Sequence, residues 1–557
     1  MPSMVAGIES TAFMFPVGSA VLSDADGNQI VNVVTNNASV AIPVPSTVLL
    51  LLTALGLLWF VSSTKGATAT HLTRKKSWLG LAALVVLAWA MPARAAVFNV
   101  AAGDSYGLIQ AIALANTTPE PDTINLAAGT YTLTSAAETS VLNGANGLPK
   151  IVGEVVINGN GAIIERDVAA PAFRFFHIDG TGKLSLNQIV LKNARSSDAG
   201  NLDKLGAIFN QGEVNLSSCV VQDSSGGGLV NLNSGKATVT ACSFFNNVGR
   251  GGAVLNESGT MSIVRSKIYA NRAPVDGGGI LNRAVLSIEA SQITDNEAGA
   301  NGGGLANGSN AVGTVVNSTF SGNRAAGGLG DGGGILNYNS LKLVNVTVAA
   351  NSAGRFGGGV WNYAPSNGQN ATLTLINTLL ADNYGSVAVY GNGVAKDDCS
   401  NNGEIILGTN SLIENGGCSA LAKGFLTGDP ALGLLADNGG PTLTHRLLAG
   451  SKAIDAGNVA DCPATDQRGT ARPQDGDGNG IAACDIGAFE AGPLANSADL
   501  NQDGCIDNTD LSLLMAALVS TGPKPASYDL NGDGKVNVAD ARKLATLFSR
   551  PGGQSCQ

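Results

Sequence analysis

The sequence predicts an all-β fold, a parallel β-helix with an N-terminal cap, followed by a small all-α module. Three observations predict it. First, one short phrase recurs through the middle of the chain. Gly206-Ala-Ile-Phe-Asn210, Gly227-Gly-Leu-Val-Asn231, Gly252-Ala-Val-Leu-Asn256 and Gly278-Gly-Ile-Leu-Asn282 lead to Gly303-Gly-Leu-Ala-Asn307, Gly333-Gly-Ile-Leu-Asn337 and Gly358-Gly-Val-Trp-Asn362. By subtraction the closing asparagines lie 21, 25, 26, 25, 30 and 25 residues apart, a period that marks a repeat architecture. Second, another anchor runs in step with it: Ile268-Tyr-Ala-Asn271, Ile293-Thr-Asp-Asn296, Phe320-Ser-Gly-Asn323, Val348-Ala-Ala-Asn351 and Leu380-Ala-Asp-Asn383. Third, runs such as Thr238-Val-Thr-Ala, Met261-Ser-Ile-Val and Leu341-Lys-Leu-Val read as short strands between Gly and Asn corners, with no helical run.

A repeat of short strands without a helix is one rung of a solenoid. Stacked rungs place like residues above like at about 4.8 Å. An apolar column then fills the interior, and the asparagine columns are placed to form amide ladders. A leucine-rich solenoid does not fit, because its leucine spacing is absent. Insertions such as 325–331 are expected as loops on one face.

Composition agrees with a turn-dense chain. Glycine occupies 74 of 557 positions and aromatics only 5%, so the core relies on aliphatic residues. The net charge of −10 leaves no basic stripe for nucleic acid. The cysteines fall in neighbouring couples, Cys219/Cys242, Cys399/Cys418, Cys462/Cys484 and Cys505/Cys556. Their even count, without any CxxC, suggests disulfides and an oxidising compartment rather than zinc. Cys219 and Cys242 align at one point of adjacent repeats, so a bridge and a stacked thiol pair are both open.

Taken in order, residues 1–70 hold an apolar run, 48–61, after Ile42-Pro-Val-Pro-Ser46 and before Lys65. This resembles a PEP-CTERM sorting signal, although its Glu is missing and it lies at the wrong end of the chain. Residues 71–95 read as a secretory signal peptide: basic Arg74-Lys75-Lys76, apolar 78–90, and Ala93-Arg94-Ala95 for cleavage. We expect translation to start near Leu72 and the mature protein near Ala96. The other reading is a two-span anchor, which would leave these N-terminal apolar segments as the sole membrane contact. Residues 96–145 read as the cap. Asp104 or Ser105 can start a helix with Leu108, Ile109, Ile112 and Ala115 on one face, and strands follow at 122–126 and 129–133. The rungs are expected over 146–425.

From 426 to 490 the repeat loosens into Asp429-Pro430, Asp437-Asn-Gly-Gly-Pro-Thr442, His445, Ser451-Lys-Ala-Ile-Asp-Ala-Gly457, Asp466-Gln-Arg-Gly469, Arg472-Pro473 and Asp485-Ile-Gly-Ala-Phe-Glu490. Together with the 107–112 helix and the 122–126 strand, this succession resembles the choice-of-anchor Q family of secreted bacterial β-helix proteins. The resemblance covers about 96–490. It implies a right-handed parallel β-helix and a secreted or surface location, and says little about activity.

After a linker, 491–498, residues 499–557 carry a duplicated calcium loop. Oxygen ligands stand at the first, third, fifth, ninth and twelfth positions: Asp499, Asn501, Asp503, Asp507 and Asp510, then Asp529, Asn531, Asp533, Asn537 and Asp540. Cys505 and Lys535 at the seventh position lend their carbonyls, and Gly504 and Gly534 allow the sharp turn. Each loop feeds a helix, with Leu511, Leu514, Met515 and Leu518 in the first and Ala541, Leu544, Ala545 and Phe548 in the second. Two such loops, each with Asp at the twelfth position, resemble a type I dockerin. The resemblance implies two Ca2+ ions and a cohesin-like partner. Cys505 departs from that pattern and is a candidate to pair with Cys556. The contact positions Asn508-Thr509 and Val538-Ala539 differ between repeats, against equal docking in two orientations.

No catalytic cluster stands out. Polygalacturonase-like chemistry needs clustered Asp with Gly-His-Gly, and His71, His177 and His445 lack that setting. Asp276, Asp295, Glu297 and Asp331 read as solvated turn residues, and Arg250, Arg272, Arg324 and Arg355 as a solvated column. Asp475-Gly-Asp477-Gly-Asn479-Gly480 opens like a calcium loop but has Ile486 at its twelfth position; a turn held by Cys462–Cys484 and a weak calcium site are both open. The sequence therefore favours a non-catalytic adhesion or scaffold protein. The alternative is a polysaccharide lyase or O-glycosyl hydrolase delivered by the same module.

Overall fold

The computed structural model describes residues 21–23, 29–32, 95–140, 144–196, 206–365, 370–386, 394–406, 410–418, 425–492, 498–501, 506–522, 524–525, 528–531 and 533–554. The chain divides into two units, Met1–Ala93 and Arg94–Gln557. In the first, Val21–Ser23 pairs antiparallel with Gln29–Asn32; the apolar run 48–61 and the signal segment 71–94 lie outside the described residues. No helix among the described residues is long and apolar enough to cross a membrane.

The second unit is a parallel β-solenoid. Among the described residues three parallel sheets run along it, of twelve, eleven and nine strands, beside a shorter six-stranded sheet whose last pair is antiparallel. One rung runs Ile280–Asn282, Val285–Glu289, Gln292–Thr294 and Glu297–Ala298. The next begins at Leu305–Asn307, paired in register with Ile280–Asn282. Alternation decides which side chains face inward: Val285–Glu289 buries Leu286 and Ile288 and exposes the other three. One apolar column extends from Val100 and Leu108 to Ile413. Glycine holds its place where rungs nearly touch, because a Cβ on Gly303 would collide with the carbonyl oxygen of Gly333.

Two left-handed corners turn each rung. At the first, Arg265, Ala290 and Asn317 have φ of 48°, 49° and 45°, which costs non-glycine residues energy. The residue after each repays it in hydrogen bonds: the N–H of Cys242, Ser266 and Ser291 donates to the Oγ of Ser266, Ser291 and Ser318 at 3.0–3.1 Å. Cys219 and Cys242 occupy this same column. The structure corrects their candidacy as a disulfide: both are free and buried. The Cys219 N–H donates to Cys242 Sγ at 3.2 Å, and each thiol donates to a nearby carbonyl, so the sulfurs serve as ladder hydroxyls do. Cys399–Cys418 and Cys462–Cys484 are bonded.

The asparagines form two amide ladders. In one, Nδ2 of Asn210, Asn231, Asn256, Asn282, Asn307, Asn337 and Asn362 each donates to the next rung's Oδ1 at 2.7–2.9 Å, ending on Asn401. In the other, Asn247, Asn271, Asn296, Asn323, Asn351 and Asn383 do the same at 2.9–3.0 Å. It ends on Asp398, whose carboxyl burial pushes up to about 6.

Helix α1, Ser105–Ala115, closes the N-terminal end. Asp104 caps it, accepting the Gly107 N–H, and Leu108, Ala111, Ile112 and Ala115 are buried. Ile109 packs half-buried against the same core. The strands Val97–Val100 and Asp122–Leu126 join the twelve-stranded sheet.

Segment 426–490 runs back along the eleven-stranded sheet. Strands Val190–Lys192 to Lys267–Tyr269 bury only their central residue, whereas Gln292–Thr294, Thr319–Ser321, Thr347–Ala349 and Leu379–Ala381 are buried throughout. The cover bonds directly to them. Leu443 N donates to Gln292 Oε1 at 2.7 Å, Thr319 Oγ1 to Gln467 Oε1 at 2.6 Å and Ala488 N to Thr347 Oγ1 at 2.9 Å. Leu447 and Ile486 pack on Leu379 and Ala381.

Candidate metal sites of the C-terminal module

Among the described residues the module has two α-helices, α2 (Asn508–Val519) and α3 (Val538–Ala545). An offset of 30 relates the halves: Leu500 and Leu530, and Leu514 and Leu544, share one core. The helix faces are narrower than expected. Leu514, Ala541 and Leu544 are buried, while Met515 and Ala545 are exposed.

In the second loop the backbone holds the oxygen side chains. Asp529 accepts the N–H of Asp533 at 3.1 Å and of Gly534 at 2.7 Å. Asn531 accepts Asp533 N at 2.9 Å, and Asp533 accepts Lys535 N at 2.9 Å. Gly534 takes φ of 80°, the sharp turn a calcium loop requires at its sixth position. The ninth and twelfth positions also start the helix. Asn537 accepts Ala539 N at 2.7 Å, while Asp540 accepts Asn537 N at 2.8 Å, a capping box.

In the first loop Asp507 and Asp510 form the same box. Asp510 is fully buried and also accepts the N–H of Leu500 at 2.6 Å and of Asn501 at 3.0 Å. Asp503, Cys505 and Cys556 lie outside the described residues. Asp499 meets a group from elsewhere: Arg446 Nη2 stands 3.3 Å from its Oδ2. Sequence reasoning passed over Arg446, a single cation 53 residues upstream with no local pattern around it.

The donor set of hard oxygens on short Asx turns fits calcium. Among the described residues, however, the three acids with oxygens within 4.8 Å of one another are Asp455, Asp475 and Asp477, not those of the second loop. The 475–480 turn repeats that loop's bonding: Asp475 accepts Asn479 N at 3.0 Å and Gly480 N at 2.9 Å.

The other candidates have structural partners. Asp331 is a correction: it is 6% exposed, held by Arg355 Nε at 2.9 Å and Phe356 N at 3.1 Å. A glycine-rich turn is open by itself, but the guanidinium of the next rung closes over it. Asp276 accepts Asn301 N at 3.1 Å. Glu297 lies 3.2 Å from Arg272 and 3.8 Å from Arg324. His177 is buried against Gln211, and His445 bonds Ser321 Oγ at 2.9 Å; burial lowers both imidazoles' pKa.

Fold and site together define a β-solenoid protein that carries a small C-terminal module in which two segments each lead into a capped helix. Residues 497–548 match the dockerin type I domain. Domains of that class bind calcium and dock to cohesin modules. No curated protein and no solved structure matches the chain.

Proposed function

We propose a secreted or cell-surface bacterial scaffold or adhesion protein that docks to a cohesin-like partner through two calcium ions in its C-terminal module. The match at 497–548 carries this reading. Apolar side chains exposed on and beside both module helices, Leu513, Met515, Val519, Val538 and Leu547, are available to such a partner. The disulfides Cys399–Cys418 and Cys462–Cys484 suit an oxidising compartment. In solution, the chain should bind cohesin modules in calcium and release them in chelator; retention in chelator contradicts the reading.

The second reading, a polysaccharide lyase or glycoside hydrolase, is favoured by one feature. An open polar groove of about 460 Å³, lined by Asp179, Lys183, Gln211, Glu213 and Lys236, could seat a hydroxylated chain. Screening the protein on uronate and neutral polysaccharides separates the readings, since product release would replace the scaffold by an enzyme.

A further inference from the structure

We propose that the outward face of the nine-stranded sheet carries a binding site for a neutral polysaccharide, centred on Tyr338 and Tyr363. Neither docking nor calcium enters it. Aromatic residues make up only 5% of the chain, yet four of them meet here in two neighbouring rungs. Strands Ile335–Asn337 and Val360–Asn362 pair in register, so the residues that follow them, Tyr338 and Tyr363, stand at one corner. Their ring centroids lie 5.5 Å apart, with the rings at 80°. Trp361 turns outward between inward Val360 and Asn362, 5.6 Å from Tyr363 and 5.2 Å from Phe356. Tyr338, Phe356 and Tyr363 are half-buried, so each keeps part of its ring in solvent.

Polar groups are brought to the same place. The insertion at 325–331 stretches the step from Asn307 to Asn337 to 30 residues, against 25 on either side; insertions in a solenoid gather on one face, often the binding face. This one ends on Asp331, which Arg355 grips through Nε at 2.9 Å and through Nη2, with the guanidinium 5.1 Å over the Phe356 ring. Asp276 accepts Asn301 N at 3.1 Å and Nδ2 at 3.0 Å. Burial first, and then the charges of Asp276 and Asp331, push the Tyr338 phenol up to about 12, so its O–H stays a donor near two carboxylates. A sugar ring needs this combination. Its C–H faces pack on aromatic rings, and its hydroxyls both donate and accept. Charge narrows the sugar to a neutral one. Each guanidinium here faces a carboxylate: Arg355 has Asp331, Arg283 has Glu257 at 3.1 Å, and Arg250 lies near Asp276. Among the described residues of this face, no unmatched cation awaits a uronate.

The test is affinity electrophoresis of the full chain in native gels containing xyloglucan, galactomannan, mixed-linkage β-glucan or polygalacturonate. Wild type should be retarded by at least one of the three neutral polymers and not by polygalacturonate. Tyr363→Ala should weaken that binding about threefold to tenfold, the scale of one aromatic contact. Tyr338→Phe, which keeps the ring and loses the donor, should weaken it by a smaller factor. Tyr269→Ala, from the Phe245–Tyr269 stack on the eleven-stranded sheet, should bind as wild type does. Thermal melts check that each variant is folded, and Tyr338→Phe carries the test if Tyr363→Ala is not. No retardation of wild type by any neutral polymer overturns the inference. So does stronger retardation by polygalacturonate, or unchanged binding in the folded tyrosine variants.

Discussion

Asn296 shows what one ladder residue does. Its Oδ1 accepts the N–H and the side-chain amide of Asn271, and its Nδ2 donates to Ile268 O and Asn323 Oδ1. It is fully buried, so Asn296→Ala strands donors and acceptors that water cannot reach. Each costs about 1–3 kcal/mol, and chemical denaturation should show a loss of at least about 3 kcal/mol; a loss near zero would remove the ladder from the account. Asp485 acts through charge. Three acids, Asp466, Asp485 and Glu490, share a knot with two guanidiniums, Arg468 and Arg472, so one acid lacks a counter-charge. Burial first, and Glu490 next, push Asp485 up to about 8. Unfolded, it ionises near 3.9. Between those values the folded chain binds more protons, so this contribution is full below about pH 4 and is lost as pH rises toward 8. Melting curves from pH 5 to 8 should fall less steeply in Asp485→Asn than in wild type; equal slopes would refute the assignment.

At the scale of elements, the cap and the covering segment protect different surfaces. Helix α1 and its strands close the first rung, whose edge is otherwise a template for pairing. Deleting 96–134 should turn the protein into soluble aggregates or precipitate on size-exclusion chromatography; a monomer with unchanged strand signal would contradict the cap's role. Which elements were legible follows from range. The ladders were readable because each rung repeats Asn at one phase, and α1 because Asp104 precedes an apolar stripe. The turns and capping boxes of the C-terminal module were readable because their residues sit within twelve positions of one another. The cover was not: Gln292, Thr319 and Thr347 look like solvent-facing strand positions, and their partners stand 141–151 residues away. Asp331 was misread for the same reason, since Arg355 arrives 24 residues later. Arg446 left no trace in a pattern search, because one cation becomes a partner only once the hairpin places it.

The whole molecule joins two kinds of stability. The solenoid shares one continuous core and two ladders, so its rungs support one another. Among the described residues the module has six buried core residues in about sixty, a size at which a core alone is marginal. Calcium binding is therefore expected to supply much of the module's folding free energy. The most direct test is circular dichroism of the isolated module, 499–557, with calcium and with chelator. The account predicts a largely disordered chain in chelator and a helical one on adding calcium, with two ions bound, one lost in Asp503→Ala and the other in Asp533→Ala. A module equally helical in both conditions would contradict it.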